Sequence, residues 1–234
     1  MREPLLRLDI VCAVPQLFGS FLSESIIGRG QEKGLVEIHV HNLHDFSDDK
    51  FRRIDDSPYG GGAGMVIQCE PVFTCIEQLK SERSYDDVIF LCPDGERLDQ
   101  SICNQLSTKK NLILLAGHYK GIDQRIRDML VTREISVGDY VLTGGELAAA
   151  VLIDAVVRLI PGVVSDAESV LEDSFMHGLL DPPLYTKPAE FRGSAVPSIL
   201  LSGDHAKIRS WRHDEAHAKT LARRPDLLDG EQSA

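Results

Sequence analysis

Three glycine-containing stretches stand where strand-like segments end: PYGGGAGM at 58–65, GHYKG at 117–121 and GDYVLTGGE at 138–146. Without a Cβ, glycine lets backbone approach a ligand closely and take left-handed dihedrals, so such loops can line a pocket with main-chain groups. None is a phosphate cradle. The chain lacks both the GxxxxGK loop followed by Ser or Thr and a strand–GxGxxG–helix unit with an acid about 20 residues on. Ligands of open α/β sheets sit beyond the carboxyl ends of strands, which favours 117–121 and 138–145 as the binding loops of an α/β enzyme.

The charged groups are less specific. Asp154 and Arg158 lie one helical turn apart and could simply pair. Asp173 belongs to a stretch from Asp166 to Asp181 that holds five acids and no Lys or Arg. From Lys187 to Arg224 the balance reverses, with eight Lys/Arg against four acids. A net charge of −11 counts against a nucleic-acid partner at first sight. An acidic segment followed by a basic one points to local specialisation that the total conceals.

The elements that must position these groups read as strand, helix and strand in alternation. Residues 7–13 and 35–40 have strand character, with helix-compatible sequence between them. A helix is expected over 71–80, opened by Pro71. VIFLC (88–92) and NLILLA (111–116) are continuous apolar runs, separated by the turn residues PDGE and a helix carrying Leu98, Ile102 and Leu106 at i, i+4, i+8. Two such strands in this order favour a parallel sheet. A helix follows Gly121, then a strand at 133–137, then a helix over 146–160 stopped by Pro161. That helix is apolar on nearly every face and needs cover on several sides. Residues 161–176 read as a linker with at most a short helical turn. A proline-rich patch follows, and a last helix is capped by Ser202 or Asp204. It buries Ile208, Trp211 and Leu221, turns Lys207, Arg212, Lys219 and Arg223 outward, and stops before Pro225.

The 234 residues, 43% hydrophobic and 26% charged, fit a globular chain of one large domain or a main domain with an appendage. No signal-peptide core is visible at the start, and the apolar run at 147–160 is broken by Asp154 and Arg158 and too short to span a bilayer. A cytoplasmic location without membrane contact is expected. Cys12, Cys69, Cys75, Cys92 and Cys103 show no paired spacing and read as buried reduced thiols. His39, His41, His44, His213 and His217 lack the convergent ligands of a zinc site, so no protein-held metal is expected.

Six segments in series, DDSPYGGGAGM, GHYKGIDQR, SVGDYVLTGGELAAAVLIDAVVRLIPGV, EDSF, GLLDPPLYTKP and VPSILLSGDHAKIRSWR, are together highly specific. The chain resembles the bacterial tRNA (guanine-N(1)-)-methyltransferase family, TrmD, from about residue 7 to 228. The resemblance implies a SPOUT methyltransferase: a mainly parallel α/β sheet domain whose C-terminal part forms a trefoil knot, then a linker and a small helical domain. It implies a cofactor-binding and dimerisation domain at 1–160, a linker at 161–175 and a helical tRNA-binding domain at 176–234.

Through the same resemblance, S-adenosylmethionine is held by Phe90, Pro93, Gly117, Tyr119, Gly121, Val137, Gly138, Asp139, Tyr140, Val141, Leu142, Gly144 and Gly145, with Asp181 near its amino end. The implied substrate is tRNA with a guanosine immediately 3′ of the anticodon, at position 37, methylated on N(1). That nitrogen carries a proton at neutral pH, so a base must remove it, and a cation can stabilise the charge left behind. Asp173 matches the family's base and Arg158 its catalytic arginine. Asp55, Tyr59, Gly64 and Lys120 are expected at the guanine, and Lys207, Arg212 and Arg223 at tRNA phosphates. A homodimer whose active sites are shared between subunits is implied as well. Two departures matter. Lys120 stands where many relatives have a carboxylate that touches the guanine or helps to place a magnesium ion, which counts against that metal here. Ala148 replaces a common proline. A SPOUT enzyme that methylates ribose 2′-oxygens, or a non-catalytic RNA-binding protein, are the alternative readings.

Overall fold

The computed structural model describes residues 3–164, 174–176 and 178–228. They fall into two compact units that divide between Ser165 and Asp166. The strands of the first unit are β1 (Leu6–Cys12), β2 (Val36–Asn42), β3 (Asp55–Asp56), β4 (Val66–Ile67), β5 (Asp87–Arg97), β6 (Asn111–Ala116) and β7 (Arg133–Ser136). Five of them form one sheet in the order β2-β1-β6-β5-β7, parallel at every pairing. Its helices are α1 (Gly19–Ser23), α2 (Ser25–Glu32), α3 (Cys69–Glu82), α4 (Gln100–Ser107), α5 (Gln124–Leu130) and α6 (Glu146–Val157).

Strand alternation divides the core into two layers. Leu8, Ile10, Ile89, Leu91, Leu112 and Leu114 pack with α2, α4 and α6. Val11, Val88, Phe90, Ile113 and Leu115 pack with α3 and α5. Burial on both faces is why VIFLC and the LILLA of β6 are apolar throughout. One polar cluster does interrupt β1. The fully buried Asp9 carboxylate accepts from Arg7 (2.7 and 3.0 Å), from the Tyr85 hydroxyl (2.8 Å) and meets His41 Nε2 at 2.8 Å. Burial alone would raise this carboxyl, but the His41, Arg7 and Tyr85 hydrogen bonds hold it well below the usual carboxylate range.

Several elements differ from the sequence reading. PDGE is not a turn that ends a strand: β5 runs on to Arg97, and its pairing with β7 shifts between Leu91 and Glu96. Proline and glycine mark a bulge here as readily as a reversal. The region between β1 and β2 is a 3-10 turn (Pro15–Phe18) and two short helices, broken at Glu24, whose backbone is extended. Helix α5 starts at Gln124, where Asp123 caps it by accepting from the Arg125 amide at 2.9 Å. Helix α6 ends at Val157, and its last turn tightens before Pro161, with Leu159 and Ile160 amides donating to Val156 and Val157 carbonyls at 3.1 Å.

In α6, Ala149, Leu152, Ile153, Val156 and Val157 are fully buried, whereas Leu147 and Val151 remain about half exposed, at 52% and 50%. The uniformly apolar helix is thus covered on one side within its own unit. Among the described residues no helix is long and apolar enough to cross a membrane.

The second unit holds a two-stranded antiparallel hairpin, β8 (Glu190–Phe191) and β9 (Ser194–Ala195), a 3-10 turn (Ser198–Leu201) and the helix α7 (His205–Arg223). Asp204 caps α7 by accepting from the Lys207 amide at 3.2 Å, and the helix stops before Pro225. Its buried positions are Ala216 and Thr220, not Leu221, which is exposed. Lys219 does not point outward. Its ammonium donates to the Asp181 carbonyl at 2.7 Å. Small residues let the backbone of this face approach its neighbour closely, which a search for large apolar side chains misses. Most of the linker in which a short helical turn is expected, residues 165–173, lies outside the described residues.

Candidate active site

The middle of β5 and the carboxyl ends of β6 and β7 open onto a pocket of about 160 Å³. Three loops wall it. The bulge of β5 brings Phe90 and Pro93. The loop after β6 brings Gly117, Tyr119, Lys120 and Gly121. The loop between β7 and α6 brings Val137, Gly138, Tyr140, Val141, Leu142, Gly144 and Gly145. Of the residues expected to hold the cofactor, Asp139 is exposed and lines no part of the pocket, and Asp181 lies in the second unit. The sequence reading missed Leu91, Cys92, His118, Ile135, Ser136, Thr143 and Ala148, which also line it. Their positions beside expected residues, at strand ends and in the same loops, were the available signal.

Close backbone approach shapes the pocket. The Gly145 amide donates to the Gly117 carbonyl at 2.6 Å, and a Cβ on Gly145 would stand 2.8 Å from the Gly117 nitrogen. Gly138 has φ 146°, open to glycine and strained for other residues. Beneath these loops Glu146, the first residue of α6, is 1% exposed. It accepts from the Val14 amide at 3.2 Å and lies 3.4 Å from His118 Nδ1, so it joins the β6 loop to the segment after β1. Arg127 braces the other side. It pairs with Asp94 at 2.7 Å and with Glu134, and its guanidinium lies 5.6 Å from the Phe90 ring centre. The Phe90 ring in turn limits the space at Gly117.

The GGGAG loop is zipped to this pocket. Lys120 and Asp123 amides donate to Met65 and Ile67 carbonyls, at 2.9 and 3.0 Å, and the Ile67 amide donates to Gly121 at 3.0 Å. The Lys120 stem lies against Gly64. Asp55 reaches Tyr119, whose phenol is pushed upward by burial and by this carboxylate. Asp55, Gly64 and Lys120 therefore gather beside the pocket, whereas Tyr59 stands fully exposed at the loop tip. Arg158 caps the end of α6 and is half-buried. Asp173 lies outside the described residues. Among the described residues no cluster of His, Cys, Asp and Glu is arranged to hold a metal ion.

The family model for tRNA (Guanine-1)-methyltransferase TrmD matches residues 6–230. The chain belongs to that family. Its curated relatives include the tRNA (guanine-N(1)-)-methyltransferase of Bacteroides fragilis, 57% identical over 224 residues, covering 96% of this chain and all of the relative. The protein of the same name from Chlorobaculum tepidum is 57% identical over 226 residues, 97% of this chain and 98% of its own. That of Christiangramia forsetii is 54% identical over 226 residues, 97% and 100% of the two chains. A TrmD-family chain matched at this length carries both units, so the pocket loops and α7 belong to one shared architecture. Lys120 lies within the matched span.

Proposed function

We propose that the protein transfers a methyl group from S-adenosylmethionine to N(1) of the guanosine at position 37 of tRNA, immediately 3′ of the anticodon. The observation that carries this reading is the convergence of the β5 segment 90–93 and the loops at 117–121 and 137–145 on one pocket in a chain of this family. The residues fit the cofactor. Val137, Leu142 and Ala148 offer apolar walls for a purine, and the glycine loops offer main-chain groups. When bound, the cofactor supplies a methyl group made electrophilic by its sulfonium.

In this reading Asp173 takes the guanine N(1) proton, and Arg158 faces the charge that spreads to the exocyclic oxygen. Lys120 donates hydrogen bonds and cannot ligate a cation, so it adds to that charge stabilisation and leaves no place for magnesium at its own position. Lys207, Arg212 and Arg223 meet tRNA phosphates. The interlocked contact of Gly145 on Gly117 is consistent with a knotted C-terminal part of the sheet domain, with 161–175 as the linker to the tRNA-binding part.

The enzyme acts as a homodimer, with Asp173 of one subunit completing the pocket of the other. The half-exposed Leu147 and Val151, with exposed Tyr140 and Val141, support this, since permanent dimers join through apolar surface. Mapping the methylated nucleoside by mass spectrometry, after incubating tRNA with protein and labelled cofactor, tests the activity. N(1)-methylguanosine 3′ of the anticodon is expected, and a 2′-O-methyl product would overturn the reading. Refolding a Gly117→Leu chain together with an Asp173→Ala chain tests the sharing: one site of each mixed dimer regains activity. No recovery in verified mixed dimers would put base and cofactor in one chain.

A further inference from the structure

A second, wider cavity lies wholly within the second unit. This groove, about 930 Å³, is lined by the stretch Pro183–Lys187, by the 3-10 turn Ser198–Leu201 and by the first half of α7. Its walls are of two kinds. Leu184, Tyr185 and Leu201 are 81%, 48% and 63% exposed, large apolar surfaces that their own unit leaves uncovered. Lys187, Arg209 and Arg212 supply charge, and none of the lining residues is acidic. Among the described residues these three cations make no ion pair. Three other cations of the unit are engaged: Lys207 with Asp204 at 3.1 Å, Arg224 with Asp226 at 2.6 Å, and Lys219 with the Asp181 carbonyl.

Unpaired cations beside an exposed aromatic ring suit unpaired RNA. Cations neutralise phosphates, and a ring stacks on any base because every base has a flat apolar face. A second copy of this chain would have to bring three well-placed acids together with apolar side chains. An unpaired RNA segment brings one phosphate and one flat face with every nucleotide. We infer that this groove takes up unpaired nucleotides of the RNA substrate, with Tyr185 stacking on a base and Lys187, Arg209 and Arg212 meeting phosphates. The inference rests on the reading that tRNA is the substrate. It adds base contact to the phosphate contacts proposed for α7.

The test uses the full chain and a tRNA transcript with guanosine 3′ of the anticodon and 4-thiouridine in place of uridine. After irradiation, crosslinks map to the peptides carrying 183–187 or 198–212. Crosslinks confined to other peptides overturn the inference, and this readout needs no variant to fold. In parallel, Tyr185→Ala lowers tRNA affinity about tenfold while Tyr185→Phe keeps it, as expected for stacking. Arg209→Ala with Arg212→Ala reduces the slope of log affinity on log salt by about 1.4, two single-strand phosphate contacts. Tyr185→Ala that changes the oligomeric state and leaves RNA affinity intact makes the groove a contact between copies, and the inference fails. Wild-type methylation of the same transcript separates the two readings. Methylation with no groove crosslinks sinks the groove alone. Groove crosslinks without methylation sink the proposed activity and leave the groove standing.

Discussion

The pocket beside the sheet and the groove in the second unit are made of different materials. The pocket holds about 160 Å³ and is walled largely by glycine-containing loops pressed together at hydrogen-bonding distance. The groove holds about 930 Å³ and is walled by long side chains, three of them unpaired cations. Main-chain walls are rigid and nearly neutral, so they select by shape and fail by steric intrusion. Flexible cationic walls select by charge, adapt to a bulky partner, and fail when salt screens them. A protein with a net charge of −11 can thus still offer one surface to a polyanion.

The sharpest break between the regions comes from the proposed base. Asp173→Ala is expected to slow single-turnover methyl transfer by about 10²–10⁴, the usual cost of removing a general base. Cofactor affinity and tRNA affinity both stay near wild type, because the carboxylate is assigned only to the guanine proton. Rates within tenfold of wild type would remove Asp173 from that role.

The next largest effect belongs to the pocket alone. Gly145→Val places a branched side chain against the Gly117 nitrogen and the Ala116 main chain. Overpacking of about 1–3 kcal/mol translates into a loss of cofactor affinity of about 5- to 150-fold. Binding of tRNA by the groove is expected to survive. Calorimetry with S-adenosylmethionine and filter binding with tRNA read the two affinities on the same variant, and a parallel loss of both would erase the distinction between the regions.

Salt reverses the pattern. The groove's three phosphate contacts to unpaired RNA contribute a slope near −2, so they alone make raising salt from about 50 to 200 mM weaken tRNA binding by about 20-fold. Cofactor affinity, held by main-chain groups, is expected to move less than twofold. Equal salt dependence of the two would mean that Lys120, the charged side chain lining the pocket, and not the main-chain groups, governs cofactor binding.

This contrast also governs what the sequence revealed. The sheet was legible because strands buried on both faces leave unbroken apolar runs, as in VIFLC and the LILLA of β6. The pocket loops were legible in outline because glycine clusters at strand ends are rare and informative. Individual liners such as His118 and Ser136 were not, since nothing in their type announces that a neighbouring loop will fold over them. The Asp9 cluster escaped notice because its partners Tyr85 and His41 are distant in sequence and meet only through sheet pairing and packing. The groove escaped because it is made by residues 183–187 approaching α7, and because Arg209 looks no different in sequence from the surface Lys207. Leu221 was misjudged for the opposite reason: helical spacing predicts a face, but Ala216 and Thr220 take that face.

Alkaline pH also divides the two units. All five cysteines lie in the first unit and none in the second. Burial pushes the Cys12, Cys75 and Cys92 thiols up to about 12, with the Glu146 charge adding at Cys12 and Asp94 adding at Cys92. Above the ordinary thiol range near 9, the unfolded chain loses these protons while the folded chain keeps them. The unfolded state then binds fewer protons, so stability falls as pH rises, by up to about 1.4 kcal/mol per pH unit for each thiol. Tyr85, raised by burial and by its bond to Asp9, adds in the same direction at higher pH. The melting temperature of the first unit is therefore expected to be steady from pH 7 to 8 and to fall between about pH 9 and 11. Cys75→Ala should flatten that fall even if it lowers stability at neutral pH, because it removes one of the three linked protons. Cys92 lines the pocket, so bound cofactor should also slow its alkylation, whereas tRNA alone should not. A melting temperature of the first unit that stays level from pH 8 to 11, or a Cys75→Ala curve parallel to wild type, would show that the thiols do not set the alkaline limit.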